Sequence, residues 1–240
     1  MIDIHFHVIP GVDDGPNKME ESLEMLRLAA KQGTSVVVAT FHSWGLRWVA
    51  REEVQRQFEE LREKAQEEGI PVEICLGCEV NFCYDQLELV LEKLKNGIYP
   101  TINGTKNVLT EFEPETEKGF AFKCVDGILK AGYIPVIAHA ERYDFIDAES
   151  AEQLCELGAL IQINVYSVFQ ECNETTRNKA NELVAKQLVA FTGSDSHRLW
   201  HRPPKMASGI EYLYENYPAD YVDAILFGNA QRYLIKKETT

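Results

Sequence analysis

Short apolar runs recur along the chain and alternate with longer amphipathic segments. Runs that are nearly continuous in Val, Ile, Leu and Ala are typical of parallel strands buried on both faces. We therefore predict seven strands, at Ile2–His5, Ser35–Thr40, Val72–Gly77, Asn107–Thr110, Ile134–Ala138, Ala159–Ile163 and Leu188–Phe191.

Helical patterns fill the intervals between these runs. The segment Met19–Lys31 places Leu23 and Leu26 on one face. Gly33 follows it as a C-terminal stop. Glu52–Glu68 has the charged, amphipathic pattern of a second helix. Strands that alternate with helices in this way predict a closed or nearly closed α/β barrel, with an open doubly wound sheet as the alternative.

Six of the seven predicted strands end beside a histidine, an aspartate or a glutamate. Residues of these types are rarely unpaired in protein cores, so their positions are informative. Active sites of parallel β/α folds form where the carboxyl ends of the strands meet, so we expect these side chains to share one cavity. They are His5, His7, His42, Glu79, Glu111, His139, Asp195 and His197.

Taken one at a time, these residues also have ordinary explanations. Side chains on a strand alternate with a period of two, so His5 and His7 can chelate one ion, although a chance pairing is the alternative. A lone His42 or His139 is more often a core histidine with a hydrogen-bond partner. Their matched placement at successive strand ends favours a metal centre, in which a carboxylate such as Glu79 can bridge two ions.

A loop and two arginines add further candidates. The turn after the first strand contains Asp13 and Asp14, and it is well placed to supply an oxygen ligand beside the histidine pair. Arg142 and Arg202 follow two of the ligand-bearing strands, and the planar guanidinium of arginine recognises phosphate oxygens. On position alone, these two arginines are either phosphate ligands or surface charges.

The formal net charge of −14 argues against one class of partner. A protein that neutralises the phosphates of nucleic acid needs a basic surface, so we do not expect nucleic acid as the main partner. A phosphorylated substrate remains compatible, because bound divalent cations can make one pocket locally positive.

The remaining composition favours a single cytoplasmic domain over residues 1–240. The sequence shows neither a signal-peptide pattern nor an apolar run of membrane-spanning length, so no membrane insertion is expected. Six cysteines in a chain of this size favour a reducing compartment, and we interpret Cys75 and Cys78 as small strand residues. Phosphate-binding glycine loops and the GxSxG motif of serine hydrolases are absent from the sequence.

Together, these motifs resemble the polymerase and histidinol phosphatase (PHP) superfamily. The chain is most similar to the bacterial PHP-type tyrosine-protein phosphatases encoded with capsule and exopolysaccharide export systems. The resemblance extends over nearly the whole chain and is carried by Ile2-Asp3-Ile4-His5-Phe6-His7, Asp13-Asp14-Gly15-Pro16, Ala138-His139-Ala140-Glu141-Arg142, Ser194-Asp195-Ser196-His197 and Arg202-Pro203-Pro204. Phe6 and the neighbourhood of His42, including Trp44, differ from the family pattern and bear on the pocket rim and on substrate preference.

The resemblance implies a single-domain, distorted seven-stranded β/α barrel with three divalent ions at the carboxyl ends of its strands. One ion is assigned to His5, His7, Glu79 and Asp195, a second to Glu79, Glu111 and His139, and a third to Asp14, His42 and His197. Arg142 and Arg202 are implied to bind the phosphate. The mixed imidazole and carboxylate ligands suit manganese, which we expect, or iron or zinc.

The resemblance also implies the reaction, which is hydrolysis of phosphotyrosine by attack of a metal-bound hydroxide. The expected substrate is the tyrosine-rich tail of a cognate bacterial tyrosine kinase of capsule biosynthesis. The phenolate leaving group has a pKa of about 10, so a dedicated general acid is less necessary, and His201, a lone loop histidine, is not expected to act as one. The alternatives are another PHP phosphoesterase such as a histidinol-phosphate phosphatase, a PHP nuclease, which the net charge disfavours, and a non-catalytic PHP module that binds a kinase or scaffold.

Overall fold

A computed structural model describes residues 1–83, 86–169 and 172–235. Within these residues, seven parallel strands form one sheet in which each strand pairs with the next along the chain. The strands are β1 (Ile2–Phe6), β2 (Val36–His42), β3 (Glu73–Asn81), β4 (Asn107–Glu111), β5 (Ile134–Ile137), β6 (Leu160–Asn164) and β7 (Val189–Gly193).

Helices connect the strands and cover the outside of the sheet. They are α1 (Met19–Lys31), α2 (Arg51–Glu67), α3 (Leu87–Lys95), α4 (Lys118–Lys130), α5 (Ala148–Leu157), α6 (Glu174–Ala185), α7 (Ala207–Asn216), α8 (Ala219–Asp223) and α9 (Asn229–Tyr233). Short 3-10 turns at Ser43–Arg47, Ala140–Arg142 and Val165–Val168 follow β2, β5 and β6. Among the described residues, no helix is long and apolar enough to cross a membrane.

The sheet closes on itself at the carboxyl ends of β1 and β7. The His7 backbone N–H donates to the Ser196 carbonyl at 2.9 Å, and the Asp195 N–H donates to the His5 carbonyl at 2.8 Å. The Asp3 carboxylate adds a further link between the two ends of the sheet. The predicted nearly closed barrel is confirmed, and the doubly wound alternative is wrong because the strand order runs in one direction from β1 to β7.

Two apolar layers stabilise the barrel. The inner layer consists of inward-facing strand residues, such as Ile4 and Phe191, together with Leu234 from the C-terminal segment, residues 229–235. The outer layer joins the opposite faces of the strands to the helices. The Asn107 amide donates to the Tyr233 carbonyl at 3.3 Å, so the C-terminal segment lies at the amino end of the barrel. The carboxyl end is therefore the end available for a site.

Several strands extend further than the apolar pattern predicts. The apolar runs of the second and third strands end at Thr40 and Gly77, whereas β2 continues to His42 and β3 continues to Asn81. His42, Glu79 and Glu111 therefore lie inside their strands instead of just after them. Their side chains are held by the rigid sheet and not by loops.

Candidate metal centre

The inward-facing positions of the strands change from apolar to polar towards the carboxyl end. On β2, Val38 lies in the inner core and is followed on the same face by Thr40 and His42. On β4, Leu109 is followed in the same way by Glu111. Because one face recurs every two residues, the strands that build the core also direct these polar side chains into the cavity above it.

Strand β1 needs an irregularity to present its two histidines. Ile4 belongs to the inner core, but Phe6 packs in the outer layer although it lies only two residues later. The pairing of β1 with β2 shifts register between Asp3 and Phe6, and a bulge of this kind redirects side chains. His5 and His7 consequently face the cavity. The expectation that Phe6 shapes the pocket rim is wrong, because its side chain is fully buried in the outer layer.

Glu79 lies at the centre of the cavity and is fully buried. Its Oε2 atom is 3.2 Å from Nε2 of both His5 and His7, and 3.0 Å from Nδ1 of His42. Its Oε1 atom is 2.9 Å from Nε2 of His139. Burial alone would raise the pKa of Glu79, but the surrounding imidazoles hold it well below its usual range.

His5, His7 and Asp195 form one group of facing ligand atoms. The Nε2 atoms of the two histidines are 3.1 Å apart. Oδ1 of Asp195 lies 3.5 Å from the first and 3.7 Å from the second. All three side chains are buried, so bulk water does not separate them. Two imidazole nitrogens and a carboxylate oxygen at such distances can hold one divalent ion.

A second group joins Asp14, His42 and His197 at the outer side of the cavity. Oδ1 of Asp14 lies 3.5 Å from Nε2 of His42 and 3.4 Å from Nε2 of His197. The His7 ring stacks on the His197 ring at 3.8 Å, so this group is continuous with the first. Burial lowers the pKa of His197 to about 4, which favours the neutral imidazole that binds metals.

Glu111 connects the inner and outer parts of the cluster. Its Oε2 atom is 3.3 Å from Nδ1 of His42, and its Oε1 atom is 3.8 Å from Nε2 of His139. The resemblance groups Glu111 with Glu79 and His139, whereas in the structure it approaches His42 more closely than His139. All nine predicted ligand residues lie in this connected cluster, and their division among individual ions stays a prediction.

Arg142 and Arg202 meet at one oxygen of Asp195. Nη2 of Arg142 lies 2.8 Å, and Nη1 of Arg202 lies 2.9 Å, from Oδ2 of this carboxylate. Burial would raise the pKa of Asp195, but Arg142 and the nearby histidines hold it well below its usual range. Both arginine side chains remain partly exposed, at 29% and 28%. They therefore face both the cluster and a ligand arriving from solvent.

Three of the predicted site residues adopt a left-handed backbone conformation. The φ angles are +32° at His139, +52° at Asp195 and +52° at Arg202. Such angles are uncommon for residues other than glycine and cost about 1–3 kcal/mol each. Strain of this kind concentrates at functional sites, and here it coincides with candidate ligands just beyond β5 and β7.

Two buried side chains on β6 support the cluster and were not predicted. Oε1 of Gln162 accepts a hydrogen bond from the His139 N–H at 2.7 Å and lies 3.3 Å from Nδ1 of His5. Nδ2 of Asn164 donates to Oδ2 of Asp195 at 3.2 Å. The sixth strand was the predicted strand to which the sequence assigned no candidate metal ligand. Its two polar residues at alternate positions of an apolar run were the available signal.

Two further residues orient histidines of the cluster. Nδ1 of His7 lies 2.8 Å from Oδ2 of Asp13, so the ring presents its other nitrogen to the cavity. The Tyr143 hydroxyl lies 3.2 Å from Nδ1 of His139. In the turn after β1, the neighbouring carboxylates thus have different positions, since Asp13 contacts the back of an imidazole and Asp14 faces the cavity.

The nitrogen and oxygen atoms of the cluster are arranged better for coordinating divalent ions than for forming hydrogen bonds with one another. Nδ1 of His42, Oε2 of Glu79 and Nε2 of His197 are buried and have no hydrogen-bond partner among the described residues. Nδ1 of His42 and Oε2 of Glu79 are 3.0 Å apart without the geometry of a hydrogen bond. An unsatisfied buried polar atom costs about 1–3 kcal/mol, and a cation shared among these atoms removes that cost.

Comparisons with known proteins identify the family of the chain. The family model for capsular polysaccharide synthesis, CpsB/CapC, matches residues 1–235. Tyrosine-protein phosphatase CpsB from Streptococcus pneumoniae is 32% identical, and the alignment covers 98% of both proteins. Tyrosine-protein phosphatase YwqE from Bacillus subtilis (strain 168) is 32% identical over 83% of this chain and 78% of that protein.

A solved structure has the same fold. It comes from work on YwqE from Bacillus subtilis and CpsB from Streptococcus pneumoniae, which are described there as unique metal-dependent tyrosine phosphatases. The TM-score is 0.88 at 28% identity, with 98% of this chain and 94% of that chain covered. These similarities confirm the predictions of the family, the barrel and a metal-dependent tyrosine-protein phosphatase. The chain belongs to the CpsB/CapC family of capsular polysaccharide synthesis.

Proposed function

We propose that this chain hydrolyses phosphotyrosine at the carboxyl end of its barrel, with divalent ions held by the nine clustered residues. The observation that carries the proposal is the surroundings of Glu79, a fully buried carboxylate that four imidazoles approach within 3.2 Å. Three buried ligand atoms of this cluster have no hydrogen-bond partner among the described residues, and divalent cations would provide one.

Three ions are proposed. His5, His7, Glu79 and Asp195 hold the first, Glu79, Glu111 and His139 hold the second, and Asp14, His42 and His197 hold the third. Facing ligand atoms support the first and third sets, since His5, His7 and Asp195 form one group and Asp14, His42 and His197 form another together with His7. Glu79 is placed in the second set because it faces His139 in one group and Glu111 in another. Manganese is the proposed metal, with iron and zinc as alternatives, because the ligands mix imidazole and carboxylate.

The bound ions, the two arginines and Asp195 have different roles in the proposed reaction. When bound, the ions lower the pKa of a coordinated water towards neutrality and offset charge on phosphoryl oxygens. Arg142 and Arg202 bind the remaining phosphoryl oxygens with their guanidinium groups. Asp195 holds both arginines through Oδ2 while its Oδ1 faces His5 and His7, so it sets the phosphate position relative to the metal ligands.

The proposed substrate is a phosphotyrosine protein of capsule biosynthesis, specifically the tyrosine-rich tail of a cognate bacterial tyrosine kinase. A cytoplasmic location is proposed with it. Support for this location comes from the six cysteines, all of which are free thiols, since disulfides are rare in a reducing compartment. Support for the substrate comes from the names of the relatives, which are tyrosine-protein phosphatases.

Metal analysis and a phosphatase screen on the same preparation test the proposal. We expect a phosphotyrosine peptide to be hydrolysed, EDTA to abolish turnover and Mn²⁺ to restore it. Asp195→Asn should remove nearly all turnover, whereas Asp147→Asn, at the exposed start of α5, should leave it unchanged. Turnover that survives complete metal removal would contradict the metal mechanism. Faster hydrolysis of histidinol phosphate than of phosphotyrosine would replace the proposed substrate.

A further inference from the structure

The three tryptophans of the chain lie in the segments that follow β2 and β7, beyond the carboxyl ends of these strands. Trp44 and Trp48 belong to the 3-10 turn that follows β2 and to its end, and Trp200 lies between His197 and Arg202. Trp48 and Trp200 are 81% and 76% exposed, more than any other large apolar side chain among the described residues. Large apolar side chains that remain exposed to water beside a polar cavity are typical of a binding surface.

Trp44 is the tryptophan closest to the proposed ligands. Its ring stacks on the His42 ring with centroids 5.1 Å apart and an angle of 23° between the planes. It remains partly exposed, so it continues the wall of the cavity towards solvent. The turn that carries it is held firmly, since a Cβ at Gly45 would lie 2.6 Å from the Val12 carbonyl oxygen. The indole is therefore presented on a rigid support.

Trp200 lies at the tip of a tight turn in the segment that follows β7. The His197 N–H donates to the Arg202 carbonyl and the Arg198 N–H donates to the His201 carbonyl, both at 2.9 Å. The Arg198 guanidinium lies 5.7 Å from the centre of the Trp200 ring, and its Nε donates to the Asp14 carbonyl at 2.9 Å. The base of this turn thus carries both a proposed metal ligand and a proposed phosphate ligand.

Positive charge accompanies the tryptophans, although the whole chain has a net charge of −14. Arg47 lies next to Trp48 and is exposed, and Arg198 contacts Trp200. Arg142 and Arg202 lie further in, at the cluster. An aromatic surface with arginines on it complements a peptide that carries both a ring and a phosphate, and it favours that ligand over a neutral apolar partner.

We propose that Trp44, Trp48 and Trp200 form an aromatic rim that binds the phosphotyrosine segment of a peptide substrate. Trp44 stacks on the phenyl ring of the phosphotyrosine, while Trp48 and Trp200 contact the residues on either side of it. The rim selects phosphotyrosine over phosphoserine, because phosphoserine has no ring to stack. This inference rests on the proposed function, since it assumes that the phosphate is bound by the arginines and the metal cluster.

Tryptophan fluorescence tests the contact without turnover. The probe is a peptide with a non-hydrolysable phosphonate analogue of phosphotyrosine, added to the full chain loaded with Zn²⁺, and its partner has the same sequence with a phosphoserine analogue. Because the chain contains no other tryptophan, any change in emission reports on the rim. We expect a saturable change with the phosphotyrosine analogue only. No change, or the same change with both peptides, would overturn the proposal, even if the phosphatase activity is present.

Kinetics of Trp44→Ala and Trp44→Phe separate ring binding from a structural effect. We expect Trp44→Ala to raise KM for a phosphotyrosine peptide about fivefold to tenfold with little change in kcat, and Trp44→Phe to restore most of the loss. The KM for the matching phosphoserine peptide should change much less. Phe227→Ala is the control, because Phe227 is 44% exposed and lies in the segment Ala224–Gly228, between α8 and α9.

Other results of the same experiments would identify a different role. An equal loss with both peptides, accompanied by loss of bound metal, would mean that Trp44 only supports His42, and the proposal would be wrong. If Trp48→Ala and Trp200→Ala left the peptide KM unchanged but abolished self-association or binding to lipid vesicles, the rim would be an interface of another kind. Failure of the wild-type chain to hydrolyse any phosphotyrosine peptide would contradict the proposed function, and fluorescence would still decide whether the rim binds.

Discussion

Oδ2 of Asp13 lies 2.8 Å from Nδ1 of His7. The same oxygen accepts a hydrogen bond from the backbone N–H of His42 at 2.9 Å. Nearby histidines hold the pKa of Asp13 below its usual value in spite of burial, so the carboxylate acts only as an acceptor. One residue of the turn after β1 therefore fixes the tautomer of one proposed ligand and the position of another.

We expect Asp13→Asn to weaken metal binding about 10-fold to 100-fold, as is typical when a carboxylate behind a ligating histidine is lost. The reason is that the amide no longer fixes the tautomer of His7. Competition with a chelator measures the effect. Asp126→Asn on α4 is the control, since Asp126 is exposed and pairs only with Lys130 in the contacts described for it. Unchanged metal affinity in Asp13→Asn would show that this carboxylate has no part in the site.

Arg202→Ala should raise KM for a phosphotyrosine peptide about 10-fold to 100-fold while the metal content stays unchanged. A charge-assisted hydrogen bond to a phosphoryl oxygen is worth about 1.5–3 kcal/mol, and the alanine variant loses it. Arg202→Lys should recover part of the affinity, because it keeps the charge but not the fork of donors. The measurement is steady-state kinetics with metal analysis of each variant. Arg56→Ala on the exposed face of α2 should match the wild type. Loss of metal in Arg202→Ala would instead assign this arginine to the support of Asp195.

The sequence was sufficient to predict the barrel and the participants of the cluster, because both follow from one regularity. Buried parallel strands give continuous apolar runs, and their polar ends share one edge of the sheet, so His42 and Glu111 could be placed together without coordinates. The carboxyl-terminal ends of the second and third strands were predicted too early in the sequence. Hydrophobic patterns stop at the last apolar residue, whereas the hydrogen bonds of the sheet continue through Thr40 to His42 and through Glu79 to Asn81.

The supporting residues were harder to predict, since amides and lone carboxylates carry no metal-binding pattern. Gln162 and Asn164 contact His139 and Asp195, which follow other strands, and the sequence separations of 23 and 31 residues hide these contacts. Asp13 and Asp14 are adjacent and chemically identical, so the sequence could not say which one faces the cavity. The path of the backbone after β1 decides which of the two carboxylates faces the cavity.

Gln162→Leu should destabilise the protein by about 1–3 kcal/mol, because the buried His139 N–H loses its acceptor. Leucine has a similar volume, so the loss of the hydrogen bond dominates over the loss of packing. Urea denaturation of the metal-free chain measures the change. Gln153→Leu, on the exposed side of α5, should change stability far less. Equal stability of Gln162→Leu and the wild type would mean that water replaces the amide.

The stability that Asp147 contributes should depend on pH. Asp147 caps α5, and its hydrogen bonds from the Ser150 hydroxyl and N–H lower its pKa below the usual 3.8. A carboxyl with a lowered pKa stabilises the folded state above its unfolded pKa, and this contribution is lost as pH falls through the folded value. Asp147→Ala should therefore cost about 1 kcal/mol at pH 7 and progressively less below about pH 4. Urea midpoints at a series of pH values test this, and Asp147→Asn, which still caps, should lose little at pH 7.

Two glycines in the first turn of a helix should respond in opposite directions to substitution by alanine. A Cβ at Gly209 in α7 would lie 2.2 Å from the Val165 carbonyl oxygen, so α7 must move away from the turn that follows β6. We expect Gly209→Ala to destabilise the protein by about 1–3 kcal/mol. At Gly119 in α4 a Cβ meets nothing within 4 Å, so Gly119→Ala should stabilise by about 0.5–1 kcal/mol through the entropy of the unfolded chain. Urea denaturation of both variants provides the comparison. If Gly209→Ala were as stable as the wild type, the close approach of α7 to the end of β6 would not be required for the fold.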